Sequence, residues 1–343
     1  MNSKRQAGFT LIELMVVIAI FGVILYISGP LINSAFMFYE AAKRNEVVYD
    51  NQEIAGALLS FARNSNGGRL PAPYTGGSIN SGVYNPADVT ATGTALTSEL
   101  RNSGVPVSQI NTDSTATKNV KVYRRVAGLT YNVPLYFVTG SQVSLTYDVG
   151  ALVQTECGQA SACNTGTPGD SAALTAANIG TWVESGADYG AVVFSTLPAQ
   201  KDMLALTTGR LNRLADRLSS EFYTRQRLAA ANSTTNFFPL PTNAGALNYA
   251  GRNPVTNMGC HNGWYPLNSA LVNILAQIGL DQAEYGVTAW GGSIEYCQDY
   301  DPTAVGTGTA NVPPHYAALR VNKNLSASAA PTGVAGSDVV ITF

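Results

Sequence analysis

The 343-residue sequence contains few charged residues and no excess of positive charge. Asp, Glu, Lys and Arg together make up 12% of the chain, and the formal net charge is −2. Proteins that bind nucleic acid normally carry a basic surface, so this composition argues against DNA or RNA as a partner. Long apolar runs are also scarce, because after residue 33 no stretch is long enough to cross a bilayer.

Residue patterns that support catalysis are few. The chain has only two histidines, His261 and His315, and it lacks a G-x-S-x-G elbow, a Walker phosphate loop and an H-E-x-x-H motif. Cys260 and Cys297 could join the two histidines in a metal site, but the spacings match no zinc pattern. We therefore expect no enzyme, no metal site and no cofactor.

Cysteine is limited to four residues, Cys157, Cys163, Cys260 and Cys297. An even number of cysteines in an exported chain favours disulfides over free thiols. Four cysteines allow three pairings, and we favour Cys157–Cys163 with Cys260–Cys297 because each pair lies within one segment of the chain.

The one long apolar run follows a short polar N-terminus. Nineteen residues from Leu14 to Ile32 contain no charge, which is enough to span a bilayer. Lys4 and Arg5 precede the run, so we expect a cytoplasmic N-terminus and an external body. Glu13 directly precedes the apolar run, which is unexpected. A carboxylate in a spanning helix costs about 2.5–3.5 kcal/mol at mid-bilayer and needs a partner.

A candidate partner for Glu13 arises if a peptidase cuts between Gly8 and Phe9. An ordinary secretory signal is cleaved after its apolar stretch, at a small-residue site, and no such site follows Ile32. Cleavage after Gly8 would keep the apolar helix and place a new amine on Phe9, one helical turn from Glu13.

In these features the chain closely resembles the type IV pilin and pseudopilin superfamily. The matching elements are the basic leader, Gly8, Phe9, the run TLIELMVVIAI, and Glu13 at the fifth position after the cut. The resemblance implies that a prepilin peptidase cleaves after Gly8 and N-methylates Phe9. It also implies that Glu13 attracts the amine of a neighbouring subunit during assembly, and that Pro30 bends or locally melts the helix.

The body is predicted to be α+β. Residues 1–8 form the leader, and residues 9–64 form one long helix whose first half, 9–33, crosses the membrane. A β-rich first lobe follows over residues 65–200. The second lobe, residues 201–343, is predicted to combine an amphipathic helix at 203–231 with a β-rich part, as in a second pilin-like unit.

An internal duplication is suggested by matches at one constant spacing. They include the Pro-x-Pro pairs Pro71/Pro73 and Pro239/Pro241, and the Asn-Pro pairs Asn85-Pro86 and Asn253-Pro254.

These features lead to one function with two alternatives. We expect a minor pilin, a structural subunit of a type IV pilus, and the size of the chain favours a position at the tip. The alternatives are a pseudopilin of a type II secretion system and a tip adhesin whose second lobe binds a surface ligand. Expected partners are other pilin subunits, the prepilin peptidase and an inner-membrane assembly platform. We expect a single-pass inner-membrane precursor that moves into a pilus or a periplasmic pseudopilus.

Aromatic residues gather in the sequence of the second lobe, at Trp264, Tyr265, Trp290, Tyr296 and Tyr300. They could form a patch for a sugar or another surface ligand. A lobe of this size also needs aromatic side chains in its core, and we favour the core.

Overall fold

A computed structural model describes most of the chain, namely residues 11–75, 82–85, 87–106, 110, 120–135, 142–155, 174–182, 189–231, 233–242, 258–261, 263–304 and 313–343. Before residue 36, it describes the side chains of Met15, Ile18 and Ser34. The helices are α1 (Leu11–Ser65), α2 (Ala91–Asn102), α3 (Leu197–Arg227), α4 (Ile274–Gln277) and α5 (Gln282–Tyr285). The strands are β1 (Val120–Pro134), β2 (Gln142–Thr155), β3 (Val192–Ser195), β4 (Tyr265–Pro266), β5 (Glu295–Cys297), β6 (Ala318–Asn322) and β7 (Asp338–Thr342). This is the α+β class predicted from the sequence, with a long N-terminal helix.

Helix α1 packs its last third against the first sheet. Ile54, Leu58 and Phe61 are fully buried and recur at helical spacing, so they form one apolar stripe. The stripe contacts Tyr123 of β1 and Leu152 of β2 in a common core. The helix ends where Gly67 and Gly68 adopt φ values of 58° and 78°, a conformation that favours glycine.

The first sheet is an antiparallel meander in the order β1-β2-β3. Its long ribbon, β1 with β2, is irregular between Val126 and Leu129, where Gly128 has a φ of 78°. Helix α2 was not predicted, because its sequence ATGTALTSELRN contains three threonines and a glycine, which are weak helix formers. Thr90 starts it by accepting a hydrogen bond from Gly93 N at 3.1 Å.

Helix α3 is the amphipathic helix predicted at residues 203–231, but both ends differ from the prediction. It begins at Leu197, where Pro198 suits the first turn, and it ends at Arg227. Leu211, Leu214 and Leu218 are fully buried, as their spacing indicated. They pack on the second antiparallel sheet, whose order is β4-β5-β6-β7.

One hydrophobic core contains residues of both predicted lobes, beside the separate core between α1 and the first sheet. Leu135, Val143 and Leu145 belong to the first sheet and its margin, yet they pack with α3 and the second sheet. Strand β3 pairs with residues 149–152 of β2 only. The segment that follows β6 contacts the other end of β2, where Ser144 N donates to Lys323 O at 3.0 Å. The boundary predicted between residues 200 and 201 lies inside α3.

A disulfide links Cys260 to Cys297 in the second lobe, with a Cα–Cα distance of 5.9 Å. This is the pairing favoured from the sequence, and both cysteines are fully buried. Cys157 and Cys163 lie outside the described residues.

The aromatic residues near this disulfide belong to the interior. Trp264, Tyr265, Trp290 and Tyr296 are at most 6% exposed, as expected for a core, whereas Tyr300 is half-buried. The Arg320 guanidinium lies 4.5 Å from the centre of the Trp264 ring, and Arg320 Nε donates to Glu295 Oε2 at 2.6 Å. These rings therefore do not form an exposed patch for a ligand.

A buried lysine connects α1 to the first sheet. Lys121 Nζ donates to Asn51 Oδ1 at 3.0 Å and to Gln154 Oε1 at 2.6 Å. Burial lowers the pKa of Lys121 to about 8, although the negative charge of Asp50 acts in the opposite direction. The ammonium is thus held by two neutral amides.

We predict that removing the Cys260–Cys297 disulfide destabilises the chain by about 3–4 kcal/mol, because a separation of 37 residues leaves a large loop unconstrained in the unfolded state. Chemical denaturation of the full chain in detergent, comparing the Cys260→Ser/Cys297→Ser variant with wild type, measures the difference. Wild type under reducing conditions should show a similar loss. A loss below about 1 kcal/mol would contradict the prediction.

We also predict that Lys121 makes stability rise with pH between about 8 and its ordinary value near 10.5. In this window the unfolded chain keeps the lysine proton while the folded chain releases it, so folding becomes more favourable as pH increases. Its contribution to the slope is at most about 1.4 kcal/mol per pH unit. Denaturation across the window should show a smaller slope for Lys121→Met than for wild type, whereas Lys201→Met, at an exposed position, should keep the wild-type slope.

Candidate functional site

The residues of the predicted processing and assembly site lie at the start of the chain. Gly8 and Phe9 fall outside the described residues. Glu13 lies in the first described turn of α1, and Pro30 lies further along the same helix, which continues through it without interruption. Among the residues whose side chains are described, no helix has the length and apolar character needed to cross a membrane.

An exposed apolar segment follows in α1, formed by Phe36, Met37, Phe38 and Tyr39. These side chains are between 64% and 76% exposed. Four consecutive residues cover more than a full turn of an α-helix, so apolar groups point in all directions around it. A helix that is apolar on every side is normally enclosed by other protein or by lipid. We call this stretch the aromatic segment of α1.

The character of α1 changes at Val47, the first buried side chain after the aromatic segment. Between them lie the charged residues Glu40, Lys43, Arg44 and Glu46. From Val47 onward the helix contributes to the core of the first lobe. Helix α1 therefore combines an exposed aromatic segment with a C-terminal portion that packs in the body.

The C-terminal end of α1 is held by the buried carboxylate of Asp148 on β2. Asp148 Oδ1 accepts hydrogen bonds from Arg69 Nε at 3.0 Å and from Gly128 N at 2.9 Å, while Oδ2 accepts from Leu70 N at 3.0 Å. Arg69 Nη2 lies 2.9 Å from Oδ1, which completes an ion pair. One carboxylate thus joins the segment after α1 to both strands of the long ribbon.

The start of α3 is attached to the same place. Asp148 N donates to Thr196 Oγ1 at 2.9 Å, and Thr196 N donates to Asp148 O at 3.0 Å. One turn later, the buried Gln200 side chain donates from Nε2 to Gly68 O at 2.8 Å. A Cβ at Gly68 would lie 2.0 Å from Gln200 Nε2, so this contact requires glycine.

Gln200 also extends into the second lobe. Its Oε1 accepts hydrogen bonds from Trp290 Nε1 at 2.7 Å and from Ser326 Oγ at 3.2 Å. We call Gly68, Arg69, Asp148, Thr196 and Gln200 the joint, because together they fix α1, the first sheet and the second lobe to one another. Sequence reasoning did not find the joint; its one local signal was the glycine pair that ends α1.

The two histidines are not assembled with the cysteines into a metal site. His315 Nε2 lies 3.0 Å from Thr234 O, and the backbone N of His261 donates to Asp299 O. Cys260 and Cys297 are joined in the disulfide. In the described part of the chain, no cluster of three or more His, Cys, Asp or Glu residues has a metal-binding arrangement.

We predict that Asp148→Ala lowers the free energy of unfolding by about 3 kcal/mol or more, because Arg69 and two backbone amides lose their buried acceptor. Chemical denaturation of the full chain in detergent measures the change. Asp216→Ala is the matched control, since Asp216 is exposed on α3, and it should stay within about 0.5 kcal/mol of wild type. Equal stability of the two variants would show that the joint does not hold the fold.

The comparisons with known proteins concern the N-terminus alone. Residues 3–25 match the model of the prokaryotic N-terminal methylation motif, a segment that includes Gly8, Phe9 and Glu13. No curated protein and no solved structure matches the chain. The motif is typical of structural subunits rather than enzymes, and it implies a membrane-anchored precursor that is processed for a pilus. The match supports assignment of the chain to the type IV pilin and pseudopilin-like family.

Proposed function

We propose that the chain is a minor pilin, a low-abundance structural subunit of a type IV pilus. The observation that carries this proposal is the methylation motif at residues 3–25, placed at the start of a 55-residue helix. The aromatic segment supports it, because a helix apolar on every side needs lipid before assembly and neighbouring helices afterwards. In this proposal the peptidase cleaves after Gly8 and methylates Phe9.

Glu13 directs assembly through charge. Cleavage creates a positive amine on Phe9, and Glu13 of one subunit pairs with the Phe9 amine of its neighbour in an apolar environment. An unpaired charge is costly there, whereas a paired one fixes the register between helices. Pro30 lacks a backbone N–H, so the helix can bend at this point as subunits pack together.

The second lobe supports a position at the filament tip. The joint ties this lobe to the end of α1 through buried hydrogen bonds, so the lobe moves with the helix instead of swinging on a linker. A fixed extra lobe on every subunit would crowd a tightly packed shaft. At the tip it has no neighbour above it.

The location of the processed protein distinguishes this proposal from a secretion pseudopilin. We expect intact-mass analysis of sheared surface filaments to find a form that begins at methylated Phe9. If the processed form occurs only in membranes, a type II secretion pseudopilin or a base-of-pilus subunit replaces the proposal. If Met1 to Gly8 remain attached in both fractions, the processing step itself is wrong.

We predict that Glu13→Ala is still cleaved after Gly8 but enters filaments at least about tenfold less than wild type, because the Phe9 amine of its neighbour loses its partner. Quantitative immunoblots of sheared filaments, normalised to the membrane pool, measure incorporation. Glu46→Ala is the control, since Glu46 is an exposed glutamate on the same helix, and it should assemble normally. Normal incorporation of Glu13→Ala would exclude the proposed pairing.

A further inference from the structure

A cleft of about 360 Å³ opens on the first lobe, away from the aromatic segment and the disulfide. It lies between the end of α1, the extended segment after it, the first turns of α2 and strand β1. Phe61, Leu70 and Leu96 are buried and form its apolar floor. Its volume falls within the range of about 300–1,000 Å³ that is usual for small-molecule sites.

The walls of the cleft combine two prolines with two tyrosines. Pro71 and Pro73 lie in the extended segment, and Tyr74 follows them. Tyr74 forms a two-hydrogen-bond bridge to Gly82, with both N–O distances at 2.9 Å, and this bridge brings Tyr84 to the same cleft. Pro71 and Tyr84 are buried, so the half-buried rings of Pro73 and Tyr74 are the ring surfaces most open to a ligand.

The wall segment is fixed from behind by β1. The buried Tyr123 hydroxyl donates to Pro71 O at 3.0 Å, and Arg125 Nη1 donates to Leu70 O at 2.7 Å. Because proline also fixes φ, the segment has little freedom left to lose when a ligand binds. The cleft is formed before any ligand enters.

Planar polar side chains line the rest of the cleft. Asn66 uses Nδ2 to donate to Arg69 O, and Asn85 uses Oδ1 to accept from Ala87 N. Within the described residues, Asn66 Oδ1 and Asn85 Nδ2 have no further partner. One acceptor and one donor thus remain for a ligand.

Asp88 and Arg125 contribute opposite charges to the same lining. Asp88 Oδ1 accepts from Thr90 N at 2.9 Å, which holds the carboxylate at the start of α2. Gly93 makes room for it, since a Cβ there would lie 2.4 Å from Asp88 Cγ. The two formal charges sum to zero, so the lining carries no net charge.

We propose that this cleft binds a neutral mono- or disaccharide. Sugar rings present apolar C–H faces, which pack on tyrosine and proline rings, and hydroxyl groups, which pair with amide, carboxylate and guanidinium groups. The inference does not depend on the filament role, because it concerns binding by the isolated chain. It places ligand binding in the first lobe, whereas Trp264, Tyr265, Trp290 and Tyr296 of the second lobe are core.

Ligand-observed saturation-transfer NMR with the purified full chain tests the proposal. The detergent must lack a sugar headgroup, because a maltoside would compete for the cleft. The probes are glucose, galactose, N-acetylglucosamine and lactose, with sialic acid as the charged comparison. We expect at least one neutral sugar to bind saturably at concentrations below about 10 mM, and sialic acid to bind more weakly or not at all.

Two cleft variants locate the binding. Tyr74→Ala removes a stacking ring, and Asp88→Asn removes the charge but keeps an oxygen for Thr90; each should weaken sugar binding by about tenfold or more. Tyr223→Ala and Asp216→Asn, at exposed positions on α3, are matched controls and should bind as wild type does. Circular dichroism establishes whether the variants fold. If Tyr74→Ala does not fold, the effect of Asp88→Asn on sugar binding alone tests whether the cleft is the site.

Three outcomes would overturn the proposal. No neutral sugar saturates up to about 50 mM, sialic acid binds in preference to all neutral sugars, or folded cleft variants bind as tightly as wild type. The last outcome would place sugar binding elsewhere on the chain.

Discussion

The buried carboxylate of Asp148 organises the body of this protein. It accepts hydrogen bonds from Arg69, Leu70 and Gly128, and its backbone pairs with Thr196 at the start of α3. A buried charge is costly unless it is fully paired, so the surrounding segments have little freedom to separate. The end of the long helix is positioned by the side chain of this residue, and the start of α3 by its backbone.

Gln200 extends this arrangement from the first lobe to the second. Its amide donates to Gly68 and accepts from Trp290, so one side chain contacts both lobes. The shared hydrophobic core, which includes Val143 and Leu145 with α3, adds apolar burial to these polar contacts. The polar contacts fix how the two lobes are oriented to each other. The apolar packing contributes much of the free energy that holds them together.

Helix α1 has two environments along its length, and they correspond to two roles. Beyond Val47 it is a core helix of the first lobe. The aromatic segment before Val47 makes no comparable contact with the body, so it is free to meet lipid or other subunits in the proposed filament. The joint connects the end of α1 to both lobes through buried hydrogen bonds.

Local patterns predicted much of the fold. The leucine stripe of α3 indicated its buried face, while the predicted bounds of the helix were six residues late at the start and four residues late at the end. Helix α2 escaped prediction, since its stability comes from a cap and from packing rather than from helix-forming residues. The disulfide Cys260–Cys297 followed from proximity in the chain, and the aromatic residues near it proved to be core.

The N-terminal motif, the long helix and the apolar stripes can be recognised before folding is considered, because each depends on residues that are neighbours along the chain. The joint, the shared core and the cleft arise from contacts between distant segments. Arg69 meets Asp148 across 79 positions and Gly68 meets Gln200 across 132, and no local periodicity encodes such pairs. They form because buried polar groups must find partners wherever the packing of helices and sheets places them.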